Sequence, residues 1–258
     1  MTVLHIDLDN TLIYSYKHDI GKAGINVEIY QGREISFLTE NTYENMKKIK
    51  ENILIVPTST RSIEQYRRID LRIGNIPYAL VCNGGVLLVD GRKDASWYQT
   101  SLELIRENLP ALQTAQHFLE KDNRRKFELR FIEELFLFTK CDQPELVVRE
   151  LKEILNTNTV AIFHNKEKVY VVPGNLSKGK AVERFREYIK ADKIIAAGDS
   201  EFDISMLRAA DIRIAPHGFC QKYSIDFGIE EMPGTGLFSD EMTEKILELN
   251  RDQKGQRT

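Results

Sequence analysis

Val3-Leu4-His5-Ile6 is a short, mostly apolar run that breaks off at Asp7-Leu8-Asp9-Asn10-Thr11. Ile53-Leu54-Ile55-Val56 repeats that pattern and stops at Pro57-Thr58-Ser59-Thr60. Tyr78 to Cys82 repeats it again and stops at Asn83-Gly84-Gly85. Continuous apolar runs of this length suit strands covered on both faces, as in a parallel sheet. Residues 25–30 and 34–38 alternate instead, around Gln31-Gly32-Arg33-Glu34, and predict a hairpin. Between the runs lie helical stretches, Thr42 to Lys50 and about 62–72. The first is entered through Asn41 and Glu44, spaced as a capping box. Strand and helix thus alternate over the first 85 residues, which predicts an α/β fold.

The middle of the chain has another rhythm. A helix is predicted over 101–121, strands over 127–131 and 134–140, and a helix over 144–155 with Pro144 in its first turn. A second hairpin, 159–164 and 168–172, turns around Asn165-Lys166-Glu167. Helix–strand–strand, twice over, describes a small antiparallel α+β unit. After Pro173-Gly174-Asn175 the first rhythm resumes, with helix 178–190, strand 193–197, helix 201–210, strand 212–215 and a terminal helix 240–249. The polar tail after Asn250 is expected to fray. The expectation is a core of residues 1–85 plus 174–258, interrupted by an inserted unit at 86–173.

The 258 residues allow one large domain or two modest ones. Thirty-six Lys and Arg against thirty-nine Asp and Glu leave a net charge of −3, so no global basic field exists for gripping nucleic acid. The longest apolar stretch, Ala79 to Val89, is interrupted by Asn83 and falls short of the roughly 20 residues that a bilayer demands. The start of the chain reads as no signal peptide. Cys82, Cys141 and Cys220 are odd in number, far apart and without a C-x-x-C pair, which suits a reducing cytoplasm. The expected protein is cytoplasmic, a monomer or weak homodimer, with no nucleic-acid or membrane partner.

Ligands of open parallel sheets sit beyond the carboxyl ends of the strands. The residues found there are Asp7 and Asp9, then Thr58, Ser59, Thr60 and Arg61, and then Gly198-Asp199-Ser200-Glu201-Phe202-Asp203. Lys178 opens the helix that leads into the last of these strands. Carboxylates gathered in one place repel unless a cation joins them, and Mg²⁺ prefers hard oxygen ligands. A carboxylate can attack phosphorus, and a second can move the proton of the leaving group. Hydroxyl and ammonium groups can meet the phosphoryl oxygens.

Asp7-Leu8-Asp9-Asn10-Thr11, the hydroxyl after the second strand, Ser177-Lys178-Gly179-Lys180 and Gly198-Asp199-Ser200-x-x-Asp203 resemble, in order, the four motifs of the haloacid dehalogenase superfamily. The insert resembles the cap of its subclass IIB, which includes Cof-type and sucrose-phosphate phosphatases. The resemblance implies a Rossmann-like parallel-sheet core with an inserted αββαββ cap, and a Mg²⁺-dependent phosphatase of a small phosphorylated metabolite, such as a sugar phosphate. It implies Asp7 as nucleophile and metal ligand, and Asp9 as general acid/base that also offers its backbone carbonyl to Mg²⁺. Ser59 and Lys178 would hold the phosphoryl group, and Asp199 would bind the metal. Asp203 would bind the metal too or orient its waters. Arg61 and Asn83 are candidate substrate contacts. Thr60 stands where relatives often carry Gly, so the second-motif hydroxyl is Ser59 or a neighbour, and Phe202 replaces a frequent Asn.

Structural alternatives stand beside these assignments. Ser200 and Asp203 form a capping box, Ser59 and Asn83-Gly84 fit turns, and His5 fits a satisfied core histidine. Arg124-Arg125-Lys126 fits a solvated hairpin end or a surface facing an anionic substrate. A phosphomutase of the same fold would use the same acids. A signalling phosphoacceptor would carry its acidic pair elsewhere in the sheet, and a silent binding module would have lost Asp7 or Asp9.

Overall fold

The computed structural model describes residues 1–21 and 24–255. It divides into two compact units, one made of Met1–Lys93 with the chain from Lys178 onward, the other of Asp94–Ser177. The insert therefore begins later than residue 86 and ends later than residue 173. Val86–Val89 folds back antiparallel on Tyr78–Val81 and then pairs with Arg92–Lys93, so this meander stays with the first unit.

In the first unit, Glu230–Glu231, Ile212–Ala215, Lys193–Ala197, Thr2–Ile6 and Leu54–Pro57 lie side by side in that order, every pair parallel. The central strand Thr2–Ile6 pairs on both edges, setting Ile6 beside Ala197 and Pro57. Its residues Val3 to Ile6 are fully buried, as its mostly apolar run requires. A bridge between Thr58 and Leu80 brings Tyr78–Val81 alongside the Leu54–Pro57 strand end. Helix Glu40–Lys50 buries Thr42, Asn45, Met46 and Ile49, one face at helical spacing. It meets the terminal helix Phe238–Gly255 through a polar seam, Thr42 Oγ1 to Ser239 Oγ (2.8 Å) and Asn45 Nδ2 to Thr243 Oγ1 (3.2 Å). The terminal helix continues past Asn250, where fraying is expected; residues 256–258 lie outside the described residues.

Several local expectations are corrected. Thr39, not Asn41, caps the first helix by accepting from Thr42 N–H, and Asn41 instead donates to Glu244. The helix expected over 62–72 is the single turn Ile63–Tyr66. Ser62 and Gln65 cap it, and the chain then leaves to bridge Ile69 with Glu28 of the hairpin Ile25–Tyr30/Arg33–Leu38.

The second unit packs Ala95–Ile105, Leu109–Lys121 and Pro144–Ile154 with an antiparallel sheet ordered Val160–Asn165, Lys168–Pro173, Phe136–Lys140, Arg130–Ile132. The helix expected over 101–121 is broken by a 3₁₀ turn at Arg106–Asn108, because Pro110 has no N–H to continue the ladder. Leu112, Leu119, Val147 and Leu151 from the helices share a core with Leu137, Val160, Ile162 and Val171 from the sheet. Two members of the basic run are paired with acids, while Arg125 donates to the Leu119 and Phe127 carbonyls. Arg124 is held by Asp122 (2.7 Å) and Glu150 (2.6 Å), and Lys126 by Asp142 (2.8 Å).

Candidate active site

Three adjacent backbone joins bring the strand ends together. Asp7 N–H donates to Ala197 C=O (3.0 Å), Thr58 N–H to Ile6 C=O (2.8 Å) and Ser59 N–H to Leu80 C=O (2.8 Å). The residues after each apolar run therefore emerge at one edge of the first unit.

Asp7 and Asp203 are buried, and between them lies the buried ammonium of Lys178. Lys178 Nζ donates to Asp7 Oδ1 at 2.5 Å and to Asp203 Oδ1 at 2.6 Å. Asp203 Oδ2 accepts from Asp199 N–H (3.1 Å), Ser200 N–H (2.9 Å) and Ser200 Oγ (2.8 Å). Asp203 thus caps its turn as the capping-box reading expects, and it also anchors Lys178. Gly198 is obligatory here, since a Cβ would lie 2.4 Å from Asp203 Cβ and Cγ. Thr11 Oγ1 donates to Asp199 Oδ1 at 3.0 Å, so the threonine of the first motif steers the acid of the fourth.

Carboxylate oxygens of Asp7, Asp199 and Asp203 lie within 4.8 Å of one another. Burial raises the Asp7 pKa well above the ordinary carboxylate range; Lys178 opposes the rise, and Asp203, Asp199 and Asp9 add to it. Burial, then Asp203, pushes Asp199 up to about 7. Burial pulls Lys178 down, but Asp203 and Asp7 more than offset it and hold the ammonium protonated. One lysine against three clustered acids leaves the group short of positive charge. A hard divalent cation fits this donor set.

Asp9 faces elsewhere. Its side chain is 52% exposed and is gripped by Arg61, Nε to Oδ2 at 2.8 Å and Nη2 to Oδ1 at 2.7 Å. Arg61 Nη1 in turn lies 2.9 Å from Glu28 Oε1. The carboxylate of Asp9 therefore stands outside the three-acid cluster, and Arg61, expected as a substrate contact, is committed to two acids. Ser59 Oγ accepts from Arg61 N–H (3.2 Å), which leaves its own proton to donate. Thr58 Oγ1 turns inward to His5 Nδ1 (2.9 Å) and Val56 C=O (3.1 Å), which favours Ser59 as the hydroxyl of the second motif. Burial pushes His5 down to about 3, in keeping with a neutral core residue. Asn83 donates its N–H to Ser59 C=O (3.0 Å) from a left-handed turn shared with Cys82 and Gly84. Sequence reasoning missed Glu28. The charge inside an otherwise alternating hairpin was its only signal.

A sequence model described as haloacid dehalogenase-like hydrolase matches residues 91–217. Over those residues the chain is similar to that family. Phosphoglycolate phosphatase of Sulfurisphaera tokodaii is 28% identical over 141 residues, covering 53% of this chain and 54% of the relative. The chain thus matches about half the length of that relative. Among solved structures, sucrose-phosphatase from Synechocystis sp. PCC6803 superposes with a TM-score of 0.65 at 15% identity, over 96% of this chain and 97% of that one. A haloalkanoate-superfamily phosphatase from Bacteroides thetaiotaomicron gives 0.56 at 18% identity, over 97% and 95%. At these identities the two structures show a shared fold, that of a haloacid dehalogenase-like core with an inserted unit. Among the described residues, no helix is long and apolar enough to cross a membrane.

Proposed function

We propose that this protein is a Mg²⁺-dependent phosphatase of a small phosphorylated metabolite, a sugar phosphate by preference, working through an aspartyl-phosphate on Asp7. The observation that carries the reading is the Asp7–Lys178–Asp203 arrangement, with Lys178 Nζ at 2.5 and 2.6 Å from the two acids. A nucleophilic carboxylate beside a phosphate dianion needs positive charge held in place before the substrate arrives, and the buried lysine supplies it. The names of the similar proteins, a phosphoglycolate phosphatase and a sucrose-phosphatase, support the substrate class. The free cysteines Cys82, Cys141 and Cys220 support a cytoplasmic setting.

Asp7 would attack phosphorus, forming the Asp7 O–P bond as the ester P–O bond breaks. Lys178 would hold Asp7 through Oδ1 and offset charge on the transferring group. Asp9 would release one oxygen from Arg61 to carry a proton, hand that proton to the departing alkoxide, and then take one from the water that cleaves the acyl phosphate. Ser59 would donate to a phosphoryl oxygen. Mg²⁺, held by Asp7 and Asp199 with the Asp9 carbonyl, would screen the acids and polarise the phosphoryl group. Asp203 contributes mainly by holding Lys178 and the 199–200 backbone, since both its oxygens are already engaged. Release of inorganic phosphate from a panel of phosphorylated sugars, nucleotides and small acids, with Mg²⁺ and no added bisphosphate, tests the reading. Isomerisation without phosphate release would indicate a mutase instead.

A further inference from the structure

The hairpin Ile25–Tyr30/Arg33–Leu38 buries a charge and exposes two apolar side chains. Glu28 is 1% exposed, whereas Ile29 and Tyr30 are 57% and 46% exposed. Register irregularities fall on both sides of it, between Asn26 and Glu28 and between Glu28 and Ile29. Bulges of this kind re-aim a side chain. Asn26 Nδ2 pins the distortion by donating to Glu28 C=O (3.0 Å) and Ser36 C=O (3.1 Å). A buried carboxylate is costly unless it is paired and hydrogen-bonded. Glu28 is both, receiving Ser36 Oγ on Oε2 (2.6 Å) and Arg68 Nε (3.0 Å) and Arg61 Nη1 (2.9 Å) on Oε1.

Arg61 has a planar, rigid fork. With Nη1 fixed on Glu28, the Nε–Nη2 edge is presented to Asp9, which it binds at both oxygens. The exposed Asp9 carboxylate is thereby oriented from the interior of the hairpin. We propose that Glu28 is a positioning residue for Asp9, acting through Arg61. The inference rests on the reading of Asp9 as the proton donor to the leaving group. It adds a fifth sequence segment to the machinery, and without Glu28 the long Arg61 side chain regains rotamer freedom. Misplacement of a catalytic group by about 1 Å can cost on the order of 10²-fold.

The test is the leaving-group dependence of Glu28→Gln. The parameter kcat/KM reports only the steps through departure of the leaving group, and p-nitrophenolate departs almost unaided while a sugar alkoxide needs a proton. For the sugar phosphate turned over best by the wild type, Glu28→Gln should lower kcat/KM by roughly tenfold or more. For p-nitrophenyl phosphate it should stay within about threefold, and inhibition by inorganic phosphate should not change. In an Asp9→Asn background, the further loss from Glu28→Gln should be under about twofold, because the group it positions is gone. Equal loss on both esters, full multiplicative loss in the Asp9→Asn background, or no loss at all would each overturn the assignment. Should Glu28→Gln fail to fold, Glu28→Asp keeps the charge but withdraws it from Arg61, and the same split or its absence decides. A wild type that releases no phosphate, or an Asp9→Asn variant without the leaving-group split, overturns the reading of the site itself. A sound wild type and Asp9→Asn variant with an indifferent Glu28→Gln overturns this inference alone.

Discussion

Lys178 Nζ lies 2.5 Å from Asp7 Oδ1 although the two residues are 171 positions apart in the chain. Both are buried, so the attraction is weakly screened, and neither charge is tolerable alone. Asp7→Asn should lower turnover by about three orders of magnitude or more, by analogy with other removed catalytic groups. The fold should survive, because Lys178 keeps Asp203 as partner and carboxylate repulsion is relieved. Steady-state rates and thermal unfolding check both halves; a variant within tenfold of wild type would exclude Asp7 as nucleophile.

Lys178→Met should behave oppositely in stability. It strands two buried acids, and breaking such a pair typically costs about 3–5 kcal/mol. Its melting temperature should fall clearly below that of Asp7→Asn at neutral pH. The deficit should shrink in acid, where the stranded Asp7 carboxylate, already raised by burial, protonates. Equal melting temperatures for the two variants would contradict the pairing.

Asp199 supplies a pH signature. Its folded-state pKa is raised to about 7 by burial and Asp203, against an unfolded value of about 3.9. Its neutral form favours folding, and that stability is present below about pH 4 and lost as pH rises through 7. A bound cation reverses the loss by compensating the charge. The stabilisation by Mg²⁺ over EDTA should therefore be larger near about pH 8 than near about pH 5.5, and Asp199→Asn should flatten the difference. A Mg²⁺ effect independent of pH would contradict the three-acid site.

The strands that carry these acids were legible because continuous apolar runs end abruptly in polar residues. Lys193–Ala197 and Ile212–Ala215 stand where the pattern places them. Lys178 was readable from its awkward place at a helix start, where a cation opposes the macrodipole. The Glu28–Arg61–Asp9 chain was not, because a bulge cancels the alternation that assigns faces in a strand. Nor was the single turn Ile63–Tyr66, whose continuation is overridden by the tertiary bridge from Ile69 to Glu28. The retention of Val86–Val89 by the core is likewise decided by its partner strand, whereas the helix break before Leu109 was legible in Pro110.

Gly198 tests how tightly the fourth motif is built. A methyl there would sit 2.4 Å from Asp203, and the neighbouring turn is tied by three donors to Asp203 Oδ2. Gly198→Ala should displace Asp203 from Lys178, lowering activity and costing folding stability at least as much as overpacking usually does, about 1–3 kcal/mol, seen as a lower melting temperature. A variant with wild-type stability would show that the turn has slack.

The most direct measurement is chemical trapping of the acyl phosphate. Asp9→Asn should form the intermediate from p-nitrophenyl phosphate with a burst of nitrophenol and then hydrolyse it slowly, since general base help is worth roughly 10²–10⁴. Borohydride added during the burst reduces an aspartyl-phosphate to homoserine, which mass spectrometry locates in a peptide digest. Homoserine at position 7, dependent on both substrate and Mg²⁺, is the predicted result. A burst with no reduction at Asp7, or with reduction at another residue, would contradict the account.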